Sequence, residues 1–484
     1  MSTLKSTLLI PIRLISLLLS VNSTFAQPDT LWTRTYGGSL TDCFSNMQLT
    51  QDGGIIMIGY TYISNDNSDF WLIKTDLDGD TIWTKTYGGD SYDYGLSVRQ
   101  TQDGGYIVAG VSSIINYFDA YLIKTDSLGN IMWDHTYIGD DMYFCYCAIP
   151  TSDSGYIMTG FTEYSIYNLK DLLLIKTDDT GNQLWMQTID NDFWDVGCDI
   201  LQTSDNDYII AGHSGDSIYE DIILVKTDSL GNILWQNTFG GDYDERGFSL
   251  QSTNDGGIII AGRTSSFGSG MADIYLIKTD SGGNELWSRT YGGSFFDAGW
   301  SVKQTLDEGF IIGGYISPTY QDNPNVYIIK TDSLGNPQWD KTIGGDGDDR
   351  SICLQIIEDG YLIAGNTNSF GNGGYDFYLI RLDAEGTLVE DFGNNPPADF
   401  TLYPPYPNPF NSSITIAFDL HSASEVELTI YDIQGREITA LDSGGWVLGK
   451  NTAVWDASDC SSGVYFVHLT AGEYQKTQKL VLMK

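Results

Sequence analysis

Hydrophobic positions recur through most of the chain in one four-beat pattern. Between residues 95 and 137 the first beat is G-L-S-V-R-Q-T (95–101), with Leu96 and Val98 on one face, the alternation of a half-buried strand. The second is a continuous apolar run, Y-I-V-A-G (106–110), as expected of a strand covered on both faces. Then come D-A-Y-L-I-K-T-D (119–126) and I-M-W-D-H-T-Y (131–137). Q-D-G-G (102–105) and S-L-G-N (127–130) separate them, and their Gly and Asn supply the positive φ of tight hairpins. No helical period is present in this region.

The pattern is written seven times. Its marker is a tryptophan, at Trp32, Trp83, Trp133, Trp185, Trp235, Trp287 and Trp339, with gaps of 51, 50, 52, 50, 52 and 52 residues. A fixed period near 50 signals a radial or solenoid array. Four antiparallel strands per unit and no helices predict an all-β fold, a seven-bladed β-propeller of four-stranded blades. The tryptophan is expected to wedge neighbouring blades apart near the rim. Residues 30–36 (T-L-W-T-R-T-Y) carry a fourth-strand signature before any complete unit, and the seventh unit ends in a degenerate fourth run, 387–392. The N-terminal strand is therefore expected to close the ring. In the alternative, 387–392 completes the last blade and 30–36 lies outside it.

Two turns hardly vary between copies: D-G-G (Asp52, Asp103, Asp255) and D-S-L-G-N (Asp126, Asp228, Asp332). In an up-and-down blade they share one face. The other two connections vary in length and content, so the opposite face is the expected contact surface. Its candidate binding residues are Tyr62, Tyr117, Tyr164, Tyr167, Tyr219, Phe267, Tyr320 and Phe370; neutral drift of weakly constrained loops would give the same pattern.

The repeats resemble secreted bacterial β-propeller repeats of the SBBP kind through D-x-Y-L-I-K-T-D…G-N-x-x-W…T-Y-G-G, as at residues 273–293. The resemblance covers about three quarters of the chain; it implies a propeller and no shared activity. After a Pro-rich connector (394–405), residues 413–420 and 425–431 alternate strictly, which suits a small Ig-like β-sandwich. This tail, 406–484, resembles the type A C-terminal sorting domain of the type IX secretion system in Y-P-N-P-F-N (406–411), Y-D-I-Q-G-R (431–436), S-G-V-Y-F (462–466) and the closing K-L-V-L-M-K. The resemblance implies partnership with the secretion machinery, removal of the domain, and release or attachment at the cell surface.

Composition agrees with export. Residues 1–26 read as a signal peptide, with Lys5 and Arg13, an apolar run at 14–21, and Thr24-Phe25-Ala26 as cleavage site. The propeller then spans 27–393. No stretch reaches the length of a membrane span. A net charge of -40 repels phosphate backbones and argues against nucleic acid; it serves solubility and could attract divalent cations. The six cysteines show no metal spacing and are expected to be buried free thiols rather than disulfides. Cys145 and Cys147 are expected on opposite strand faces.

Little chemistry is written in motifs. The four histidines are scattered, without zinc spacing. Asp76, Asp78 and Asp80 resemble a calcium loop, but other repeats build the same turn without them, so no cofactor is expected beyond that weak calcium candidate. Acids precede the first strand at Asp42, Asp93, Asp195, Glu245 and Asp297. They are expected to cap loop amides or to pair with Lys74, Lys124, Lys176, Lys226, Lys278 and Lys330; paired carboxylates could also serve acid–base work on a glycan. No unique polar cluster breaks the repeat symmetry in sequence. The expectation is a non-enzymatic exported module that contacts glycan or protein through its variable face. The alternatives are a glycan-processing hydrolase or lyase, or a structural surface-layer component.

Overall fold

The computed structural model describes residues 33–386 and 400–484, apart from short stretches at 115–116, 140, 165–168, 192–193, 217–218, 320–322, 403–404, 406–407, 409, 421–425, 434, 442–448 and 472–473. The signal peptide, Trp32, Tyr167, Tyr320, strand 387–392 and most of the connector lie outside the described residues. Among the described residues every regular element is a strand. Strands from Thr33 to Asp383 form one compact unit and those from Phe400 to Leu482 another.

In the first unit the strands assemble into seven four-stranded blades. Blade 1 runs Asp42–Leu49, Ile55–Ser64, Asn67–Thr75, Thr81–Tyr87; blade 2 opens at Asp93, blade 3 at Met142, blade 4 at Trp194, blade 5 at Glu245, blade 6 at Ala298 and blade 7 at Asp349. Blades 3 and 4 join into one sheet only through a parallel bridge between Lys170 and Trp194. Each first strand touches the first strands of the blades on either side, and blade 7 touches blade 1. The first strands therefore surround the axis of a closed ring.

Closure follows the N-terminal strand. Thr33–Tyr36 pairs antiparallel with Asp376–Asp383, as the fourth strand of blade 7. Its Tyr36 hydroxyl donates to Gly79 O in blade 1 at 2.6 Å. The same bond links Tyr87 to Gly129, Tyr137 to Gly181 and Tyr291 to Gly335. The seam between last and first blade is thus built like the others.

The tryptophans take the expected place between blades. Trp83 lies 6.0 Å from the Tyr106 ring of blade 2, and a Cβ on Gly129 would stand 2.8 Å from its ring. Gly129 has φ +76°, so this turn needs glycine twice over, for backbone hand and for the indole. Trp287 repeats the arrangement with Phe310 and Gly335. Between blades the second and third strands bury apolar side chains on both faces. One cluster joins Met57 and Ile73 of blade 1 to Leu362, Phe377 and Leu379 of blade 7.

Each first strand also carries one extra residue, a bulge, at Ser45, Leu96, Tyr146, Cys198, Phe248, Trp300 and Ile352. A bulge re-aims a side chain. Cys145 and Cys147 do enter different cores, but only because Tyr146 bulges between them; regular alternation would have put both on one face. All six cysteines are free thiols.

The second unit is a two-sheet sandwich. Phe400–Leu402, Ser413–Leu420 and Gly449–Asp456 face Glu437–Ala440, Val426–Asp432, Gly463–Ala471 and Tyr474–Leu482. Trp455 centres the core, with Phe410 at 5.5 Å and Tyr465 at 5.1 Å. Asn408 clamps the last strand, donating to Lys479 O and accepting from Val481 N, both at 2.8 Å. Arg436 closes its hairpin by donating from Nε to Asp432 at 2.7 Å.

Candidate functional site

The two invariant turns share the lower face, where the repeated lysines end. Lys74 Nζ lies 3.0 Å from Asp52, and Lys124 2.8 Å from Asp103. Lys176, Lys278 and Lys330 pair in the same way with Asp153, Asp255 and Asp307, and Lys226 pairs with Asp207, two residues further along its turn. The expected pairing of these lysines with Asp42 and its equivalents is therefore wrong; those acids lie at the other end of the strands. Their capping role is right. Asp42 accepts from Gly38 N, Asp93 from Gly89 N, Asp195 from Asn191 N, Glu245 from Gly241 N and Asp297 from Gly293 N, at 2.6–2.9 Å.

The calcium candidate is likewise a hairpin device. Asp76 Oδ1 accepts from the amides of Asp78 and Asp80, at 3.0 and 2.9 Å, and Asp78 faces Arg381 at 3.4 Å. Among the described residues no group of three or more His, Cys, Asp or Glu side chains could hold a metal ion.

The loop aromatics divide. Tyr62 is half-buried and joins Tyr60 and Tyr92 at 6.1 and 6.4 Å. Tyr219 is exposed and meets Tyr243 at 6.2 Å. Phe267 and Phe370 pack on Tyr275 and Tyr378 of their own blades and lean over Gly241 and Gly345 of the connection that enters each blade. They are part of the rim. Tyr117 and Tyr164 lie at strand ends; their side chains are outside the description.

What the fold brings together is a ring that loop reading missed. Opposite each residue two places before the bulge stands the residue that follows the apolar run of the second strand. The pairs are Cys43–Tyr60, Tyr94–Val111, Phe144–Phe161, Val196–His213, Arg246–Arg263, Ala298–Tyr315 and Arg350–Asn366. These positions share one register on the axial strands, yet their chemistry differs from blade to blade.

Blades 1 to 3 form an aromatic arc. Tyr94 lies 4.5 Å from Tyr60 and 5.6 Å from Phe118; Phe118 leads to Phe144, which stacks on Phe161 at 5.0 Å and 7°. Lys170 Nζ sits over both Phe161 and Trp194, at 4.4 and 4.6 Å, the cation–π geometry. Blades 4 and 5 form a charged arc. Arg246 Nε lies 2.8 Å from Glu220 Oε2, an ion pair off-line for a hydrogen bond, and Arg263 pairs with Asp244 at 2.5 Å. Further round, the bulge residues Phe248 and Trp300 stack at 4.1 Å and 11°, and Arg350 covers the Tyr315 ring at 4.8 Å.

One line within the charged arc has the order of a nucleophilic triad. Cys198 Sγ is 3.8 Å from His213 Nδ1, and His213 Nε2 is 3.5 Å from Glu220 Oε2. Its electrostatics oppose catalysis. Burial, with Asp199 adding, pushes the Cys198 thiol up to about 12. Burial, with Arg246, Arg263 and Lys170, pulls His213 down to about 3. Reactive thiols need the thiolate; here thiol and imidazole are both neutral and serve as a hydrogen-bonding surface.

The comparisons with known proteins bear mainly on the tail. Residues 405–483 match the family model described as secretion system C-terminal sorting domain. No curated protein sequence matches the chain. Among solved structures the chain is similar to PorZ, a surface component of the type-IX secretion system of Porphyromonas gingivalis, at 12% identity and TM-score 0.45 over 93% of this chain and 60% of PorZ. It is similar to the Pan2 WD40 domain of Neurospora crassa at 12% identity and TM-score 0.45, over 73% and 94% of the two chains. For puromycin hydrolase the values are 10% and 0.49, over 79% and 60%. Among the described residues no helix is long and apolar enough to cross a membrane. The chain is thus a β-propeller protein that ends in a type IX sorting domain and is sent to the cell surface or beyond.

Proposed function

We propose that the exported propeller is a non-enzymatic binding module whose ligand, a glycan, occupies the axial mouth of the upper face. The observation that carries this reading is the broken symmetry of the mouth. Scaffold residues repeat in every blade, while the ring around the axis changes from aromatic to charged. Tyr60, Tyr62 and Tyr94 offer ring faces with polar tips, and Phe144 a bare ring face, on which sugar rings can stack. Among the described residues Arg263 Nε and Trp300 Nε1 are buried donors without a protein partner, which a ligand oxygen would satisfy. The neutral Cys198–His213 pair favours binding over hydrolysis. A glycan array probed with the secreted chain tests the reading. Hits are expected that disappear in Tyr94→Ala and Phe144→Ala and persist in Phe267→Ala on the rim. An array without hits, or hits indifferent to both mouth changes, removes it.

A further inference from the structure

At four blade junctions two acids meet, the first-strand acid buried and the third-strand acid buried at Asp273 and Asp376 and half-buried at Asp69 and Asp221. The acid before a first strand faces an acid on the third strand of the preceding blade: Asp42 with Asp376, Asp93 with Asp69, Glu245 with Asp221, and Asp297 with Asp273. A glycine separates each pair so closely that its missing Cβ marks the meeting point. A Cβ on Gly37 would stand 1.5 Å from Asp376 Oδ1 and 2.9 Å from Asp42 Oδ2; on Gly292, 2.3 Å from Asp273 Oδ1 and 2.4 Å from Asp297 Oδ2. Gly88 and Gly240 stand the same way in their pairs. Backbone bonds hold the strands together there, Asp42 N donating to Tyr375 O at 2.6 Å and Asp297 N to Ala272 O at 2.8 Å.

The two acids of a pair are not equivalent. The first-strand acid is rich in donors: Glu245 accepts from Thr264, Ser265, Ser266 and Gly241, and Asp297 from Gly293 and Ser317. At three of the junctions the third-strand acid is poorer in them; Asp273, which accepts from Ser269 and Gly270, is the exception. Asp376 is 1% exposed, and among the described residues its Oδ1, like Asp69 Oδ1, is buried without a partner. At one further junction the chain carries a neutral residue in this place. At the junction of blades 6 and 7 the third-strand residue is Asn325, facing Asp349 across Gly344. A side-chain amide is the neutral, donating counterpart of a protonated carboxyl.

We infer that at three of these junctions, Asp42–Asp376, Asp93–Asp69 and Glu245–Asp221, the third-strand acid keeps its proton at neutral pH and gives it in a hydrogen bond to the first-strand carboxylate. The upper face is then sewn together by bonds that open as pH rises. Two carboxylates in contact cannot both ionise cheaply. Burial holds Asp69, Asp221 and Asp376 above the ordinary carboxylate range, and the charges of Asp93, Glu245 and Asp42 add to it; burial raises Asp93 as well, while bonds from Ser112 and Gly89 N favour its charged form. No lysine or arginine charge offsets this. The other titratable groups facing the pairs are Cys43, Tyr121, Tyr275 and Tyr327. Asp93 lines an open cleft of about 400 Å³ with Gly88 and Ser112, which gives solvent a path to the proton. A raised carboxyl contributes its full stability below the unfolded carboxylate range and loses it as pH rises through the folded value. Alkali should therefore loosen the loops around the mouth before the lower face.

The test is chemical denaturation of the full chain across pH. Each pair makes the unfolded-to-folded ratio rise about tenfold per pH unit while the native pair holds a proton that the unfolded chain has lost. Asp376→Asn, copying Asn325, should remove one such factor, the threefold variant at Asp69, Asp221 and Asp376 should flatten the slope, and Asn325→Asp should steepen it. Protonated-carboxyl infrared absorption at neutral pH should fall in the threefold variant. If that variant does not fold, Asp376→Asn and Asn325→Asp decide alone. An unchanged slope in both overturns the inference. So does stabilisation of the parent by calcium chloride that Asp376→Asn abolishes, since the oxygens would then hold a cation.

Discussion

Replacing Asp103 by alanine should cost more than replacing the lysine it pairs with. Asp103 lies 2.8 Å from Lys124 Nζ, with the lysine side chain 5% exposed and the aspartate 52%. Bonds from Lys124 and Thr101 outweigh burial and bring the Asp103 carboxyl down to about 2. A shift of nearly two units corresponds to ~2.5 kcal/mol at most; half-exposure and screening reduce it to ~1 kcal/mol. Asp103→Ala also strands a buried ammonium whose remaining carbonyl partner is Thr125 O at 2.9 Å, adding ~1–2 kcal/mol. The expected loss is about 2–3 kcal/mol at pH 7. Lys124→Met leaves an aspartate that water can reach, and should cost less than ~1 kcal/mol. The double variant should regain most of the loss. Urea denaturation followed by tryptophan fluorescence measures all three. Because the folded carboxyl is depressed, its contribution stands above the unfolded range and fades as pH falls toward 2. The reasoning is refuted if Lys124→Met costs more than Asp103→Ala, or if the Asp103→Ala loss is the same at pH 2 and pH 7.

Other consequences are open to direct measurement. Gly129→Ala and Gly104→Ala both force alanine into positive φ, +76° and +81°, at ~1–2 kcal/mol each, but only Gly129 faces an indole. Its melting temperature should drop clearly further, and equal drops would contradict the wedge. Removing residues 27–36 should destabilise blade 7 and open Asp376–Asp383 to proteolysis; an unchanged digestion pattern would deny ring closure by this strand. Deleting residues 406–484 should leave the protein in the periplasm, and normal export of the truncation would contradict the sorting role. Across pH, lower-face acids such as Asp52 and Asp255, held at about 2, weaken the fold in acid, while the upper-face pairs weaken it in alkali. Stability should peak between the two limbs, and a monotonic profile would argue against one face or the other.

The fold was legible because its signals are repeated and local. Tryptophan spacing, hairpin glycines and the double-sided apolar runs each act within one blade and its neighbour, so seven copies reinforce one reading. The N-terminal strand could be placed from its fourth-strand signature alone. The lysine partners were misjudged because Lys74 and Asp52 meet across the turn between the first two strands, a contact set by which end of the third strand the lysine occupies. The mouth was missed for a related reason. His213, Arg263 and Phe161 sit inside strands, in the register that follows A-G or T-G, and their variation is hidden when only loops are compared. Listing that one position through all seven copies would have shown it. The Cys198–His213–Glu220 line joins three strands of one blade, and the bulge that turns Cys198 has no sequence mark of its own.

The central claim is that the mouth, not the rim or the lower face, holds the ligand. The most direct measurement is a crystal structure of the propeller with an array-selected glycan bound. The account predicts sugar rings against Tyr94 and Phe144 with oxygens on the Arg246–Arg263 side. A glycan seated only at Phe267 and Phe370, or on the lower-face turns, would contradict it.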